Sequence, residues 1–476
     1  MVSFKQLVDA QRQFFRSGGT RCLKARHATL TTVKKMIEDH HEEIVKAIFK
    51  DLHRDGTREV GSSIRAVDEL LDNLDQWNAP TKVDTPSNLT SEDDVVMMPE
   101  PLALAGGNTV ILKLSEFAPA FSSLFSGLVT KYFDKNVFAT VEGAVPETTA
   151  LLEERFDHIV YTGNPTVARV VMAAAAKNLT PVTLELGGKN PVLVEPDADL
   201  DDAARKIINA KTINCGQICL SADYVLTTEE VKPKLIAALA KVLDAMAPIK
   251  ESKTYARIVN ERHFDRLSSL LSKTKGRVVY KADGELDRAD KFIPPHIIEI
   301  DKDDEFMKDE IFGPFLPILT VKSFDESLDY VNDHEKPLGA YLFTKDLEKT
   351  KRFLRETSSG GVTVNDVMMH SWVNSVPFGG VGNSGMGQIG GKFGFDSFVH
   401  RKPILIRNGA DRDAHPRALG DNLVLLRMRY SSPISVRLLH MLESACNITG
   451  QRTNYAEILQ NFPIRQFKEL TRVLHN

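Results

Sequence analysis

An alternation of strand-type and helix-type segments in the middle of the chain restricts its fold more than any other feature. Short apolar runs typical of strands alternate there with segments that have the spacing of helices. In chain order these segments are residues 109–112, 118–133, 137–141, 147–155, 159–161 and 167–177. Strands that alternate with helices at this spacing form parallel sheets with crossover helices. The sequence therefore predicts an α/β protein whose sheet offers a nucleotide site at the carboxyl ends of its strands.

Helical patterns precede this region and a second αβ pattern follows it. The first ninety or so residues are predicted to be helical, and residues 31–52 have apolar residues mostly three or four positions apart, as in a single amphipathic helix. From Cys219 to about residue 399 strands and helices alternate again, with residues 315–321 and 361–365 predicted as strands. No internal repeat or low-complexity segment is evident.

Two short strings indicate chemistry. LELGGK (184–189) places the carboxylate of Glu185 at the end of an apolar run, and NCGQIC (214–219) places the thiol of Cys219 in a turn of small residues. A thiolate attacks a carbonyl carbon, and a carboxylate of raised pKa can later activate water. The pair suits covalent chemistry on an aldehyde or acyl group. A cysteine in an apolar stretch is, however, more often a small core residue.

Further motifs favour the chemical interpretation. The strings KLSE (113–116), LELGGKNP (184–191), NCGQIC, EIFGP (310–314) and PFGGVGNSG (377–385) resemble motifs of the aldehyde dehydrogenase superfamily and occur in the family's order. VPETT (145–149), RFDHI (155–159), YTG (161–163) and SSGGVT (358–363) resemble the class 3 group, which oxidises medium-chain, fatty and aromatic aldehydes. The resemblance runs from the first residues to about Arg407.

The resemblance implies a Rossmann-type NAD-binding domain and an α/β catalytic domain. On this basis residues 1–90 are predicted as the helical part of the cofactor-binding domain and residues 91–195 as its Rossmann-like part. Residues 196–400 are predicted as the catalytic domain with Cys219, and residues 401–476 as an atypical basic tail with 12 Lys and Arg against 6 Asp and Glu. A homodimer is also implied.

The resemblance implies a role for each catalytic residue. Cys219 would add to the aldehyde as a thiolate, and hydride loss from the thiohemiacetal would leave a thioester. Glu185 would activate the water that hydrolyses the thioester to the carboxylic acid.

The resemblance also implies a cofactor site. Lys113 and Glu116 would bind the adenosine ribose, Gly163 would lie beside the pyrophosphate, and Glu310 and Phe312 would hold the nicotinamide ribose and contact the ring. A carboxylate at the ribose disfavours a 2′-phosphate, so NAD is predicted first and NADP is the alternative. Residues 385–390 also match the pattern G-x-G-x-x-G, but they do not lie in a strand–helix unit and are predicted as an ordinary glycine-rich loop.

The sequence differs from the family pattern directly after Leu102, where a segment is missing. Relatives have a strand, a loop and most of a helix before the segment equivalent to Ala103, and the loop carries an asparagine that donates to the oxyanion. Loss of one such donor typically costs about 10²- to 10³-fold in turnover, and the missing strand belongs inside the nucleotide-binding sheet. Two functions therefore stay open: an active dehydrogenase, or a catalytically impaired member, such as a splice form or incomplete gene model, that acts as an oligomer partner or nucleotide-binding remnant.

Composition argues against several other classes of protein and of site. A net charge of −4 over 476 residues disfavours a nucleic-acid binder that neutralises phosphates. Four cysteines are too few for a disulfide framework, and Cys215 and Cys219 have no second Cys or His pair at zinc spacing, so no metal is expected. No stretch has the length of a signal peptide core or a spanning helix. A cytoplasmic protein is predicted.

Overall fold

The computed structural model of the protein describes residues 3–84, 94–101 and 104–406. The junction between Leu102 and Ala103 lies outside the described residues, as does most of the predicted basic tail. The described residues form an α/β structure with a mostly parallel sheet at its centre, which confirms the predicted fold class.

Helices dominate the first eighty residues, as predicted. They are α1 (Phe4–Arg16), α2 (Leu23–Asp39), α3 (His41–Leu52) and α4 (Thr57–Asn78). The prediction of one helix over residues 31–52 is wrong, because the chain breaks at His40 (φ −116°, ψ 21°). The His40 ring bonds Glu43 at 2.7 Å and Tyr132 at 3.2 Å, so tertiary contacts hold a break that the apolar spacing does not reveal.

The predicted strand–helix alternation is present in the next region, with bounds that differ by a few residues. Its elements are β1 (Thr81–Lys82), β2 (Asp94–Pro101), β3 (Val110–Lys113), α5 (Pro119–Tyr132), β4 (Phe138–Val141), α6 (Val145–Leu152), β5 (Ile159–Thr162) and α7 (Pro165–Ala176). Local chemistry explains two of the helix starts. The Glu147 carboxylate caps the Ala144 amide of α6 at 2.8 Å, and the Asn164 side chain accepts from the Val167 amide of α7 at 3.0 Å.

The second αβ region contains the main core. Its elements are β6 (Val182–Glu185), β7 (Pro191–Val194), α8 (Leu200–Thr212), β8 (Tyr224–Thr228), α9 (Lys232–Asp244), α10 (Glu261–Lys273), β9 (Arg277–Lys281), β10 (His296–Glu299), β11 (Phe315–Val321), α11 (Phe324–Asn332), β12 (Gly339–Phe343), α12 (Leu347–Glu356), β13 (Gly361–Val364), β14 (Gly385–Met386), α13 (Gly391–Ser397) and β15 (Val399–Ile406).

Seven of these strands form one sheet, in the order β13-β12-β7-β8-β11-β10-β9. All its pairings are parallel except that of β9 with β10. Val192, Leu193 and Val194 in β7 are fully buried, as expected for a parallel strand that is covered on both faces. A separate antiparallel sheet forms where β15 pairs with β2 along eight residues and β2 pairs with β1.

The predicted nucleotide-binding strands form two separate sheets. β3 pairs with β4, whereas β5 pairs with β6 and β6 pairs with β14. Among the residues that the structure describes, no ladder joins β3 to β5. This break is the arrangement expected if a strand between β3 and β5 is missing, as the comparison with family motifs after Leu102 implied.

Apolar side chains are exposed in the two strands on either side of this break. Leu112 in β3 is 37% exposed and Val160 in β5 is 51% exposed. Parallel strands normally have apolar side chains that are covered by helices on both faces. The two strands next to the break therefore expose apolar surface that the central strands of the seven-stranded sheet do not, although Val278 in its edge strand β9 is 43% exposed. The division at residues 91, 196 and 401 stays a prediction.

Within residues 3–84, 94–101 and 104–406, no helix has both the length and the apolar character needed to cross a bilayer.

Hydrogen exchange should detect the break between β3 and β5. Because donors of a parallel strand point alternately to its two sides, the amides of Ile111 and Val160 point away from β4 and β6. We expect them to exchange at least about 10²-fold faster than the amide of Leu193 in β7, as amides at unprotected edges do relative to core amides. Equal protection at all three positions, measured by NMR on the whole chain, would mean that another segment covers these edges.

Candidate active site

Glu185 is the last residue of β6, and its carboxylate is isolated. The residue is 4% exposed, and in the described part of the chain neither carboxylate oxygen has a hydrogen-bond partner. Burial raises the pKa of Glu185 to about 7. A carboxylate that exchanges its proton near neutral pH has the property that a general base for water requires.

A strained turn leads to Cys219. It is a 3₁₀ turn, Ile213–Gly216, in which Asn214, Cys215 and Gly216 have φ of 52°, 56° and 70°. The left-handed conformation costs a residue with a side chain about 1–2 kcal/mol. A Cβ at position 216 would overlap the carbonyl of Gly313, so only glycine fits there. The turn therefore packs directly against the EIFGP segment.

The side chain of Asn190 fixes the backbone at Cys219. Its Nδ2 donates to the carbonyls of Cys219 at 2.8 Å and Ser221 at 3.0 Å, and its Oδ1 accepts from the Gly339 amide at 2.9 Å. Asn190 is 1% exposed. One amide thus joins the start of β7, the nucleophile segment and the start of β12.

The environments of Cys219 and Cys215 distinguish the two thiols. Burial, and then the charges of Glu310 and Glu185, raise the pKa of Cys219 to about 11, while the amides of Cys219 and Leu220 favour the thiolate. Cys215 is completely buried, its Sγ lies 3.2 Å from the Tyr255 hydroxyl, and burial raises its pKa to about 12. Of these two thiols, Cys219 is partly accessible and Cys215 is not, so Cys219 is the better candidate for the nucleophile.

Glu310 packs against the turn after β6. A Cβ at Gly187 would overlap the Glu310 carboxylate, and the Gly188 amide donates to that carboxylate. Burial, followed by the charge of Asp223, raises the pKa of Glu310 to about 8. Phe312 has a φ of 48° and is 38% exposed. A bulky residue in this conformation with an exposed ring indicates a functional constraint.

Lys189 and Asp223 clamp the backbone on both sides of Glu310. Lys189 Nζ bonds Asp223 at 2.5 Å and donates to the carbonyls of Phe306 at 2.7 Å and Asp309 at 3.2 Å. The other oxygen of Asp223 accepts from the Ile311 amide at 2.9 Å. This clamp fixes the position from which the Glu310 side chain extends.

The other predicted cofactor residues lie at the carboxyl ends of β3 and β5. Lys113 Nζ bonds Glu116 at 2.9 Å. Burial raises the pKa of Tyr161, and the charge of Glu116 adds to this effect. The ends of the two separate sheets therefore lie near each other. Gly163 follows β5 directly before α7, and its amide donates to the Glu185 carbonyl at 3.0 Å.

The structure brings the predicted site residues into one connected region. The Gly163 amide donates to the Glu185 carbonyl, and the Glu310 carboxylate packs against Gly187. After burial, the charges of Glu310 and Glu185 raise the pKa of Cys219. The charge of Glu116, which pairs with Lys113, acts on Tyr161 in β5, the strand that precedes Gly163.

Comparisons with known proteins agree with this geometry. Residues 94–404 match the model of the aldehyde dehydrogenase family. The chain is 41% identical over 425 residues to aldehyde dehydrogenase family 3 member A2 of Mus musculus, covering 83% of this chain and 87% of that protein. It is 43% identical over 438 residues to aldehyde dehydrogenase family 3 member H1 of Arabidopsis thaliana, covering 84% and 89%.

A solved structure of a Staphylococcus aureus AldH in its substrate-bound state is similar, with a TM-score of 0.83 and 34% identity over 86% of this chain and 95% of that one. The chain belongs to the aldehyde dehydrogenase family. The predicted resemblance to its class 3 group and the predicted enzyme class are both confirmed.

Three residues of this aldehyde dehydrogenase site were not predicted from sequence. Lys189 and Asn190 lie within the LELGGKNP string, so their position next to Glu185 was a usable signal. Asp223 carries no such signal, because its partners are 34 and 88 positions away. The loop at residues 385–390 does not follow a parallel strand as a nucleotide fingerprint would, since Gly385 pairs with Glu185 in a two-residue antiparallel strand.

The charge of Glu185 should affect the reactivity of the Cys219 thiol. Because the Glu185 carboxylate raises the pKa of Cys219, Glu185→Gln should lower this pKa and speed alkylation at pH 8.5 about three- to tenfold, the effect of removing a nearby like charge. Iodoacetamide labelling, followed by peptide mass analysis, measures the rate at Cys219 separately from Cys215. Glu230→Gln, a change at an exposed carboxylate, is the control. An unchanged rate in Glu185→Gln would contradict the electrostatic coupling.

Proposed function

We propose that this aldehyde dehydrogenase oxidises aldehydes to carboxylic acids with a nicotinamide cofactor, through a covalent adduct on Cys219. The observation that carries the proposal is the unpartnered, buried carboxylate of Glu185, which titrates near pH 7 and acts on the Cys219 thiol. Such a base has no evident structural use, since buried carboxylates are normally hydrogen-bonded.

The reaction begins when the Cys219 thiol loses its proton and the sulfur adds to the aldehyde carbon. The backbone amides at Cys219 and Leu220, which favour the thiolate, are available to the oxyanion of the thiohemiacetal. A nicotinamide cofactor, when bound, would supply the hydride acceptor, and loss of hydride from the adduct would leave a thioester on Cys219. Glu185 then takes a proton from water, the hydroxide adds to the thioester, and the acid leaves as the sulfur regains a proton.

The residues at the strand ends fit a dinucleotide. Lys113 and Glu116 lie half-exposed at the end of β3 and present an ammonium and a carboxylate to ribose hydroxyls. Gly163 precedes the amino end of α7, where anions are favoured. Glu310 and Phe312 would hold the nicotinamide end. Glu116 favours NAD, while a relative from Canis lupus familiaris, 39% identical, is named as a dimeric NADP-preferring aldehyde dehydrogenase, so NADP is the alternative.

An apolar surface near the glycine-rich loop supports an apolar aldehyde as the substrate. Met369, Trp372, Val373 and Val376 are each 41–49% exposed, and Phe378 packs on the same buried cluster as Cys219. Medium- to long-chain and aromatic aldehydes, the substrates of the class 3 group, match such a surface because their transfer from water to it is favourable.

The alternative of a catalytically weak member also has an observation in its favour. In the part of the chain that the structure describes, the two sheets next to the cofactor residues are not joined, and a family asparagine that donates to the oxyanion has no counterpart in the sequence. The first change weakens the cofactor half of the site, and the second removes a donor to the oxyanion, while the backbone segment that carries Cys219 is intact. We infer an enzyme with slow turnover, in which backbone amides alone serve the oxyanion.

Substitution of single cysteines by serine tests the assignment of Cys219 as the nucleophile. Cys219→Ser should lower NADH formation at least about 10³-fold, because a hydroxyl of high pKa does not form the adduct at neutral pH. Cys215→Ser is the matched control and should keep most of the activity. Steady-state NADH absorbance with an aliphatic aldehyde measures both. Equal losses of NADH formation in Cys219→Ser and Cys215→Ser would contradict the assignment of Cys219 as the nucleophile.

A homodimer is a further part of the proposal. Val170 on α7 is 57% exposed and Leu179 just after that helix is 90% exposed, so apolar side chains face solvent on this side of the chain. Exposed apolar patches mark association surfaces, and two copies of one chain most often pair about a twofold axis. The relative from Canis lupus familiaris is named as dimeric.

Size-exclusion chromatography with light scattering tests whether this surface forms the dimer interface. The natural chain should elute with the mass of two chains, and Val170→Lys should shift it to one, because a buried unpaired ammonium opposes association. Leu347→Lys, at a 72% exposed leucine on α12, is the control and should stay dimeric. A dimeric Val170→Lys variant would place the interface elsewhere.

A cytoplasmic location also stays a proposal. It is supported by the free thiols of Cys22, Cys215 and Cys219, since reducing compartments keep cysteines unpaired.

A further inference from the structure

The turn before Cys219 is held by side-chain amides. Asn214, Cys215 and Gly216 adopt left-handed conformations in succession. Nδ2 of Asn214 donates to the carbonyl of Gln217 at 2.8 Å, and Nε2 of Gln217 donates to the carbonyl of Asn214 at 2.9 Å. Because a residue with a side chain keeps this conformation only where contacts enforce it, the orientation of the Asn214 amide helps to determine where Cys219 lies.

Arg54 reaches this amide from a distant part of the chain. Its Nε donates to Oδ1 of Asn214 at 2.8 Å, although the two residues are 160 positions apart. The guanidinium also pairs with Glu59 at 2.5 Å and donates to the carbonyl of Asp55 at 3.0 Å. The side chain is 12% exposed. Arg54 is thus fixed at three points, and one of them is the side chain that shapes the turn.

The backbone around Arg54 is bonded to the same neighbourhood. The Arg257 amide donates to the carbonyl of Leu52 at 2.8 Å, and the Asp55 amide donates to the carbonyl of Lys253 at 3.1 Å. The carbonyl of Arg257 in turn accepts from Nε2 of Gln217 at 3.0 Å. The loop between α3 and α4 and the turn before the thiol are therefore parts of one hydrogen-bonded unit.

We propose that Arg54 is a positioning residue for the nucleophile: it orients the Asn214 amide, which maintains the left-handed turn and keeps the Cys219 thiol beside Glu185 and Glu310. The inference rests on the proposed role of Cys219. Arg54 touches neither substrate nor cofactor in this account. It acts through Asn214, and it couples the helical first part of the chain to the reacting sulfur.

The test compares Arg54→Met, Arg54→Lys and the control Arg288→Met, which removes an exposed arginine paired with Asp265. Arg54→Met should lower kcat about tenfold, the effect of one charge-assisted hydrogen bond, and should change the aldehyde KM and the NAD affinity by less than about twofold. Arg54→Lys should recover part of kcat, because an ammonium can donate to the same oxygen. Arg288→Met should match the natural chain.

A double-mutant cycle separates positioning from general destabilisation. In an Asn214→Gly background, which keeps the left-handed backbone without the amide, Arg54→Met should have no further effect on kcat or on iodoacetamide labelling of Cys219. An equal loss of kcat in both backgrounds would overturn the inference, as would an Arg54→Met variant with natural kcat and labelling. Unchanged turnover in Cys219→Ser would instead overturn the proposed function, so the two failures are distinguishable.

Discussion

The connection between β6 and β7 is the constraint on which the site depends. Within residues 186–190 the chain passes from the sheet of the cofactor residues to the seven-stranded sheet. Glu185 ends β6 before it, Gly187 leaves space for the Glu310 carboxylate, and Asn190 bonds the carbonyl of Cys219. A shift of one residue in this connection would separate Glu185, Glu310 and Cys219, so two glycines and two fixed side chains set the geometry together.

The seven-stranded sheet and its connections hold the segments of Cys219 and Glu310, together with the bond from Arg54 to Asn214. Its buried strands, the amide of Asn190 and the Lys189–Asp223 clamp place Cys219 and Glu310 without help from β3 or β4. The cofactor half differs, because no ladder joins β3 to β5 among the described residues. Loss of a strand therefore weakens cofactor binding more than it disturbs the nucleophile.

Sequence patterns predicted those features that depend on local order. The predicted strands at residues 315–321 and 361–365 and the αβ alternation follow from short-range spacing, and the structure has strands at 315–321 and 361–364. Motif strings singled out Glu185, Cys219 and Glu310 as candidate site residues. The helix break at His40 was missed, because contacts with Tyr132 decide it. The bonds of Asp223 to Ile311 and of Arg54 to Asn214 span 88 and 160 positions, and such pairings depend on the complete fold.

The central claim is that cofactor binding and oxyanion stabilisation are both weakened, while the segment that holds the Cys219 thiol is intact. The most direct measurement compares the chain as it stands with one that carries a family-type strand, loop and helix between Leu102 and Ala103. Restoration should increase NADH formation at least about 10²-fold, the effect of one oxyanion donor, and enlarge the thermal shift with NAD, while the labelling rate of Cys219 stays the same. Equal turnover and equal thermal shift in the two proteins would contradict the account.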